Sequence, residues 1–236
     1  MTEFVCLRDA YLKELETVVK EVREGCFILL EKTVFYAQGG GQPFDVGSIF
    51  RGSEEFKVVS VRKGEGGAMH QVERPGLNPG DLVRCVVDWK RRYRLMRMHT
   101  ASHLLAALLN KELGVKITGN QLDVEKSRID FNLDVFDRKQ IEGFFVRANI
   151  VVERDALVKV YALPKREALK IPDVIKLAGA FPPEVEELRI VEIEGVDIQA
   201  DGGTHVKNLR EVGKLIFLSA ENKGKSNRRI YFNLDP

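Results

Sequence analysis

The chain is poor in the residues on which several common protein designs depend. Three cysteines, Cys6, Cys26 and Cys85, occur in 236 residues. An odd number without CxxC spacing excludes a disulfide framework and a zinc ribbon, and points to a reduced, cytoplasmic compartment. No apolar run approaches the ~20 residues of a membrane span. Met1-Thr-Glu-Phe4 lacks the basic and apolar regions of a signal peptide, so no membrane association is expected. Internal repeats and low-complexity tracts are absent, and the net charge of +2 says nothing about partners. What remains is 44% hydrophobic and 31% charged residues, the composition of a soluble globular protein with one large domain or two ordinary ones.

Histidine is scarce too, with four in the chain, yet three of them fall into two compact motifs. His99-Thr-Ala-Ser-His103 lies in a helical pattern, and Asp201-Gly-Gly-Thr-His205 lies in a glycine turn about a hundred residues later. On a helix, residues four apart share a face and can grip one ion. A metalloprotease would carry glutamate directly after the first histidine; Thr100 stands there, which argues against that class. Alone, the first motif reads more readily as two satisfied core histidines than as a metal clamp. The second motif shifts the balance. Gly202-Gly203 permits a turn with positive φ that aims Asp201 and His205 at one point. Imidazoles with a carboxylate suit Zn²⁺, and three protein ligands with an open position form a catalytic pattern.

Charge is clustered although the total is balanced. Lys90, Arg91, Arg92, Arg94 and Arg97 crowd the stretch before His99, and Lys223, Lys225, Arg228 and Arg229 form a second group. Each group alone reads as a solvated face; two groups close in sequence to candidate sites tilt the reading towards RNA.

Residues 26–88 read as short strands separated by turns, at Cys26–Leu30, Val34–Tyr36, Gly47–Arg51, Phe56–Arg62, Met69–Val72 and Leu82–Val87. That spacing suggests a small barrel or sandwich. Ala10–Glu24 is compatible with a helix or an edge strand. From Asp88, a plausible N-cap, to Gly114, a plausible C′ residue, the pattern is one long helix. Further strands are expected at 115–117, 121–124 and 128–133, a second long helix at Asp137–Arg154, and a strand at Leu157–Leu163. A short helical stretch at Lys165–Ala178 precedes strands at 187–193, 197–199, 214–220 and 229–233. Long helices among antiparallel strands make an α+β domain. The expected division is residues 1–88 and 89–236.

The segment Thr33-Val-Phe-Tyr-Ala-Gln-Gly-Gly-Gly-Gln-Pro-Phe-Asp-Val-Gly47 is too specific for an ordinary loop. Consecutive glycines, Gly40 and Gly41 among them, let backbone amides approach a ligand, while Thr33, Gln38 and Gln42 offer hydrogen bonds. This segment, HTASHLL, SRIDF, DIQADGGTHVKN and ENKGKSNRRIYF follow one another as in free-standing alanyl-tRNA editing proteins, the AlaX family. The chain resembles that family from about residue 26 onward, in its intermediate-length class, and also resembles the editing domains of alanyl- and threonyl-tRNA synthetases. The resemblance implies an α+β protein with an N-terminal translation-type β-barrel and a C-terminal α+β editing domain. It implies zinc at His99, His103 and His205, and removal of serine, with glycine as a further candidate, from mischarged tRNA for alanine. Many relatives have cysteine where Asp201 stands; Asp201 can ligate through oxygen, bind only the metal's water, or stand off.

The expected reaction is hydrolysis of the ester at the tRNA acceptor end. Either the metal activates the water or it holds the substrate beside a separate water. No serine or cysteine with a histidine partner stands out as a nucleophile. Serine differs from alanine by one hydroxyl, so Thr33 or Gln42, with polar groups near Thr100, is expected to read it. Arg91, Arg92, Lys223, Lys225 and Arg228 are expected on acceptor-stem phosphates. The competing readings are a tRNA-binding module without catalysis and a metal hydrolase of a small ester or amide. Oligomeric state is not legible.

Overall fold

A computed structural model describes residues 1–133, 137–172, 174 and 185–235. Its chain divides into two compact units, Met1–Arg94 and Leu95–Pro236. In chain order the strands are β1 (Glu3–Phe4), β2 (Glu14–Arg23), β3 (Phe27–Leu30), β4 (Lys32–Thr33), β5 (Gly47–Arg51), β6 (Glu54–Gly64), β7 (Gly67–Val72) and β8 (Leu82–Val87) in the first unit. Helix α1 (Trp89–Leu113) follows, then β9 (Ile117–Gln121), β10 (Ser127–Phe131), α2 (Arg138–Val152), β11 (Val158–Pro164) and α3 (Lys165–Ala168). Strands β12 (Glu187–Ile193), β13 (Asp197–Ala200), β14 (Leu215–Gly224) and β15 (Asn227–Leu234) complete the second unit.

The first unit is a closed antiparallel barrel in the order β2-β3-β7-β6-β5-β8. Ile28, Leu30, Ile49, Phe56, Val61 and Cys85 are fully buried in its core. Segment 14–23, open between helix and edge strand in the sequence, pairs on both sides, with β3 and with β8. Tertiary pairing overrides its helix-compatible composition. Val34–Tyr36 is not a strand, and side chains explain why. The Thr33 hydroxyl accepts the Phe35 N–H (3.1 Å), and the Asp45 carboxylate accepts that of Tyr36 (2.6 Å), so neither amide reaches a neighbouring strand.

Local punctuation sets the ends of α1. Asp88 accepts the Arg91 N–H at 3.1 Å as an N-cap, and Gly114, at φ +65°, turns the chain out. From Leu95 to Ala107, the residues of α1 other than Arg97 are buried, so this stretch has neighbours on every side. The second unit has two antiparallel sheets, β14-β15-β10-β9 and β11-β12-β13. Helix α2, capped by Asp137, rests on β14 through Phe145 and Phe217 and through Asn149, which bonds both backbone groups of Leu215. The short helix expected at Lys165–Ala178 begins as α3, and most of its remainder lies outside the described residues. No helix among the described residues is long and apolar enough to cross a membrane.

Candidate metal centre

The i,i+4 spacing puts His99 and His103 on one face of α1, buried at 1% and 3% exposure, with ring centroids 5.1 Å apart. Strand β13 delivers the other half of the site. Directly after it, Arg189 of β12 holds the backbone of Asp201 from both directions, accepting its N–H (3.0 Å) and donating to its carbonyl (2.9 Å). The turn that follows differs from the expected one. Neither Gly202 nor Gly203 adopts positive φ. Instead Asp201 Oδ2 accepts the Gly203 N–H, so the aspartate side chain closes its own turn. His205 then reaches back with Nε2 towards Asp201 Oδ2 (3.2 Å), its ring 4.4 Å from that of His99 and 4.6 Å from that of His103.

His99, His103, Asp201 and His205 therefore offer ligand atoms that all lie within 4.8 Å of one another. Asp201 Oδ1 is 3.3 Å from His99 Nε2 and 3.6 Å from His103 Nε2. Tetrahedral zinc with bonds of about 2.0–2.1 Å separates its ligand atoms by about 3.3–3.4 Å, and these spacings fit. Protonation fits as well. Burial opposes the Asp201 charge, but the three imidazoles around it hold its carboxyl well below the usual range. Burial, with His99 and His103 nearby, pushes His205 well below its ordinary value. An ionised carboxylate and a neutral imidazole are the forms that bind metal. Asp201 is also the most accessible member, its side chain 14% exposed.

Two further residues lie behind the imidazoles. Thr100, fully buried, lies with Oγ1 3.1 Å from His205 Nδ1 and also accepts the Val206 N–H (3.3 Å). Its expected position beside a substrate is thus replaced by one behind a ligand. Asp197 Oδ2 lies 3.6 Å from His103 Nδ1, just beyond hydrogen-bond distance, with its side chain wholly buried. A carboxylate that bonds a metal-binding imidazole from behind fixes the ring's tautomer and orientation. Sequence reading missed Asp197; the only available sign was a second aspartate four residues before Asp201.

In the first unit, the glycine motif forms a tight turn. Gly39 and Gln42 pair through both backbone bonds (3.1 and 2.9 Å), and Gly40 and Gly41 between them take φ of +58° and +82°. Those are the left-handed values of a two-residue type I′ turn. A side chain at Gly47 would collide with the Val86 carbonyl oxygen. Thr33 and Gln42 are both fully buried. His70 Nδ1 lies 3.0 Å from the Ile28 carbonyl and so carries the proton, which leaves Nε2 to accept the Thr33 hydroxyl at 2.7 Å.

Two of the residues expected on phosphates are engaged inside the protein. Arg92 is fully buried, with its guanidinium on Asp45 and on the carbonyls of Ala10 (2.9 Å) and Val34 (2.7 Å). Burial works against its charge, but the Asp45 carboxylate more than restores it and raises its pKa. Arg228, 7% exposed, closes the β14–β15 turn by donating to Asn222 Oδ1 (2.8 Å) and the Gly224 carbonyl (2.7 Å). Both expectations are corrected: a guanidinium occupied in this way is not offered to phosphate. Arg91 is half-buried, while Lys223 and Lys225 are exposed.

Residues 4–91 match the family described as tRNA synthetases class II (A), and residues 188–231 match the threonyl and alanyl tRNA synthetase second additional domain. The alanyl-tRNA editing protein AlaX-M of Methanosarcina barkeri is 46% identical, over 99% of this chain and 99% of its own length. AlaX-M of Saccharolobus solfataricus is 43% identical over 100% of both. The alanine–tRNA ligase of Ignicoccus hospitalis is 36% identical over 89% of this chain and 23% of the ligase.

Proposed function

The chain belongs to the AlaX-M family of alanyl-tRNA editing proteins, and we propose that it hydrolyses serine from mischarged tRNA for alanine, using a zinc ion held by His99, His103, Asp201 and His205. Its activity class is that of an aminoacyl-tRNA deacylase. The observation that carries the metal is the close approach of three imidazoles and one carboxylate. A zinc ion held there would supply Lewis acidity, either to the attacking water or to the substrate ester.

The chain's own residues do the rest. Thr100 bonds the His205 ring from behind, the Asp197 carboxylate faces the His103 ring, and Asp201 keeps its negative charge among the imidazoles. Covalent catalysis has little support. The hydroxyl–imidazole pairs Thr33–His70 and Thr100–His205 are fully buried, and burial pushes the Cys85 thiol up to about 12. Water is therefore the attacking group on this reading.

Selectivity for serine is assigned to the glycine motif, with Gly40 and Gly41 at the turn and the fully buried Thr33 and Gln42 supporting it from within. Arg91, Lys223 and Lys225 are assigned to tRNA phosphates, which position the RNA without reading its sequence.

The deciding experiment incubates the protein with seryl- and alanyl-tRNA for alanine, with and without chelator, beside His103→Ala. Rapid loss of serine with alanine spared, abolished by the variant and by chelator, is expected. Equal persistence of both charged tRNAs would overturn the substrate assignment, and undiminished activity in chelator would overturn the metal.

A further inference from the structure

Half of the chain's six tyrosine and tryptophan residues meet at one place in the first unit. Trp89 and Tyr93, one turn apart on α1, stack with centroids 5.4 Å apart and planes at 25°. Tyr11 lies against both, at 5.7 Å from Trp89 and 6.4 Å from Tyr93. All three are half-buried, and none belongs to the barrel's core cluster. Lys13 is exposed and places its Nζ 4.7 Å from the centre of the Trp89 ring. Lys90, next in sequence to Trp89, is exposed as well. The nearby acidic groups are partly committed: Glu14 pairs with Arg84 (2.9 Å) and Asp88 caps α1.

We propose that this cluster is a stacking platform for an unpaired base of the RNA substrate, with Trp89 as its floor and Lys13 as the cation that moves to the adjoining phosphate. Two energies of unequal size support the exchange. An exposed ammonium held over an indole is weakly bound, whereas a nucleobase stacked on an aromatic ring is held more strongly and brings a phosphate with it. A base that takes the place of Lys13 over the ring therefore gains stacking and gives the displaced ammonium a stronger partner. Unpaired bases, unlike those in a duplex, present an open face to such a ring. The proposal rests on the RNA substrate of the proposed function but requires no particular amino acid on it.

Trp89 is the chain's single tryptophan, so its emission reports the platform directly. The whole protein is titrated with uncharged tRNA for alanine, with a short single-stranded RNA and with a blunt RNA duplex. The tRNA and the single strand are expected to quench Trp89, and the duplex is not. Trp89→Ala should weaken tRNA binding between about fivefold and a hundredfold, with Trp89→Phe recovering most of it. Lys13→Ala, at an exposed position, should lower the slope of log affinity against log salt by about one. Unchanged Trp89 emission on binding tRNA, or Trp89→Ala binding as tightly as the parent, would overturn the platform. Deacylation of seryl-tRNA is measured on the same variants. Intact deacylation without quenching rejects the platform alone, and quenching without deacylation rejects the proposed reaction alone.

Discussion

Replacing Arg92 with methionine keeps most of the side chain's length but removes the charge opposite Asp45. In the folded protein both side chains are 0% exposed. Arg92 Nε lies 3.0 and 2.9 Å from the two Asp45 oxygens, Nη2 bonds Oδ2 as well, and the remaining donors serve Ala10 and Val34. After the substitution Asp45 keeps the Tyr36 N–H but stays buried without a countercharge. Removing one partner of a buried pair costs about 3–5 kcal/mol. The two carbonyls that lose a donor put the loss towards the upper end of that range. With a urea m-value of about 2–3 kcal/mol per molar, the unfolding midpoint should fall by roughly 1–2 M. Adding Asp45→Asn to Arg92→Met should recover about 2 kcal/mol or more, because the stranded charge is gone. Arg92→Lys should recover less, since an ammonium cannot form the two-pronged contact. Equilibrium urea unfolding of the parent, Arg92→Met, Asp45→Asn, their combination and Arg92→Lys checks this. A loss below about 1 kcal/mol for Arg92→Met, or additive single and double variants, would refute the assignment of Arg92 as an internal clamp.

Three further outcomes are expected. Competition with a colorimetric chelator should show Asp201→Ala losing zinc affinity at least about tenfold and Asp201→Cys gaining it, because thiolate is the softer ligand; unchanged affinity in Asp201→Ala would remove the carboxylate from the ligand set. Asp197→Asn should weaken zinc binding about 10- to 100-fold with folding stability little changed, as the loss of a carboxylate behind a ligand does, read by the same competition beside urea unfolding. Burial lowers the pKa of His70 to about 4. Its unfolded value near 6.5 is higher, so the unfolded chain binds the extra proton. His70 stabilisation is therefore complete above pH 6.5 and is lost as pH falls towards 4, by about 3 kcal/mol in all. Comparing the pH dependence of unfolding for the parent and His70→Gln isolates this part, and identical profiles would contradict it.

Features written in local punctuation were legible from sequence. Asp88 and Gly114 bracket α1 as expected because a cap and a left-handed terminus act within one turn. His99, His103 and His205 converge as their spacing suggested, and Asp201, the ligand in most doubt, joins them. Features that depend on distant partners were not legible. Arg92 looks like its basic neighbours until Asp45, 47 residues earlier, is seen opposite it. Asp197 is one more strand residue until β13 lies against α1. The expected role of Gly202-Gly203 misplaced the cause of the turn, since a short carboxylate bonding its own loop does the same work without positive φ. Thr33 shows the same limit: its hydroxyl was visible in the sequence, but not the imidazole that uses its proton.

The envelopment of α1 between Leu95 and Ala107 has a consequence for synthesis. A helix buried on every side has no face suited to water, so its stretch of leucine, methionine and alanine needs all its neighbours at once. Strands β12 to β15, at residues 187–234, are made last. At ribosomal rates of about 5–20 residues per second, that apolar stretch waits several seconds or more for its cover. During that interval the barrel can already be complete, while the editing unit has its first two histidines but neither Asp201 nor His205. The second unit therefore matures as a late, cooperative event, and its period of greatest vulnerability to aggregation precedes the emergence of its own last strand.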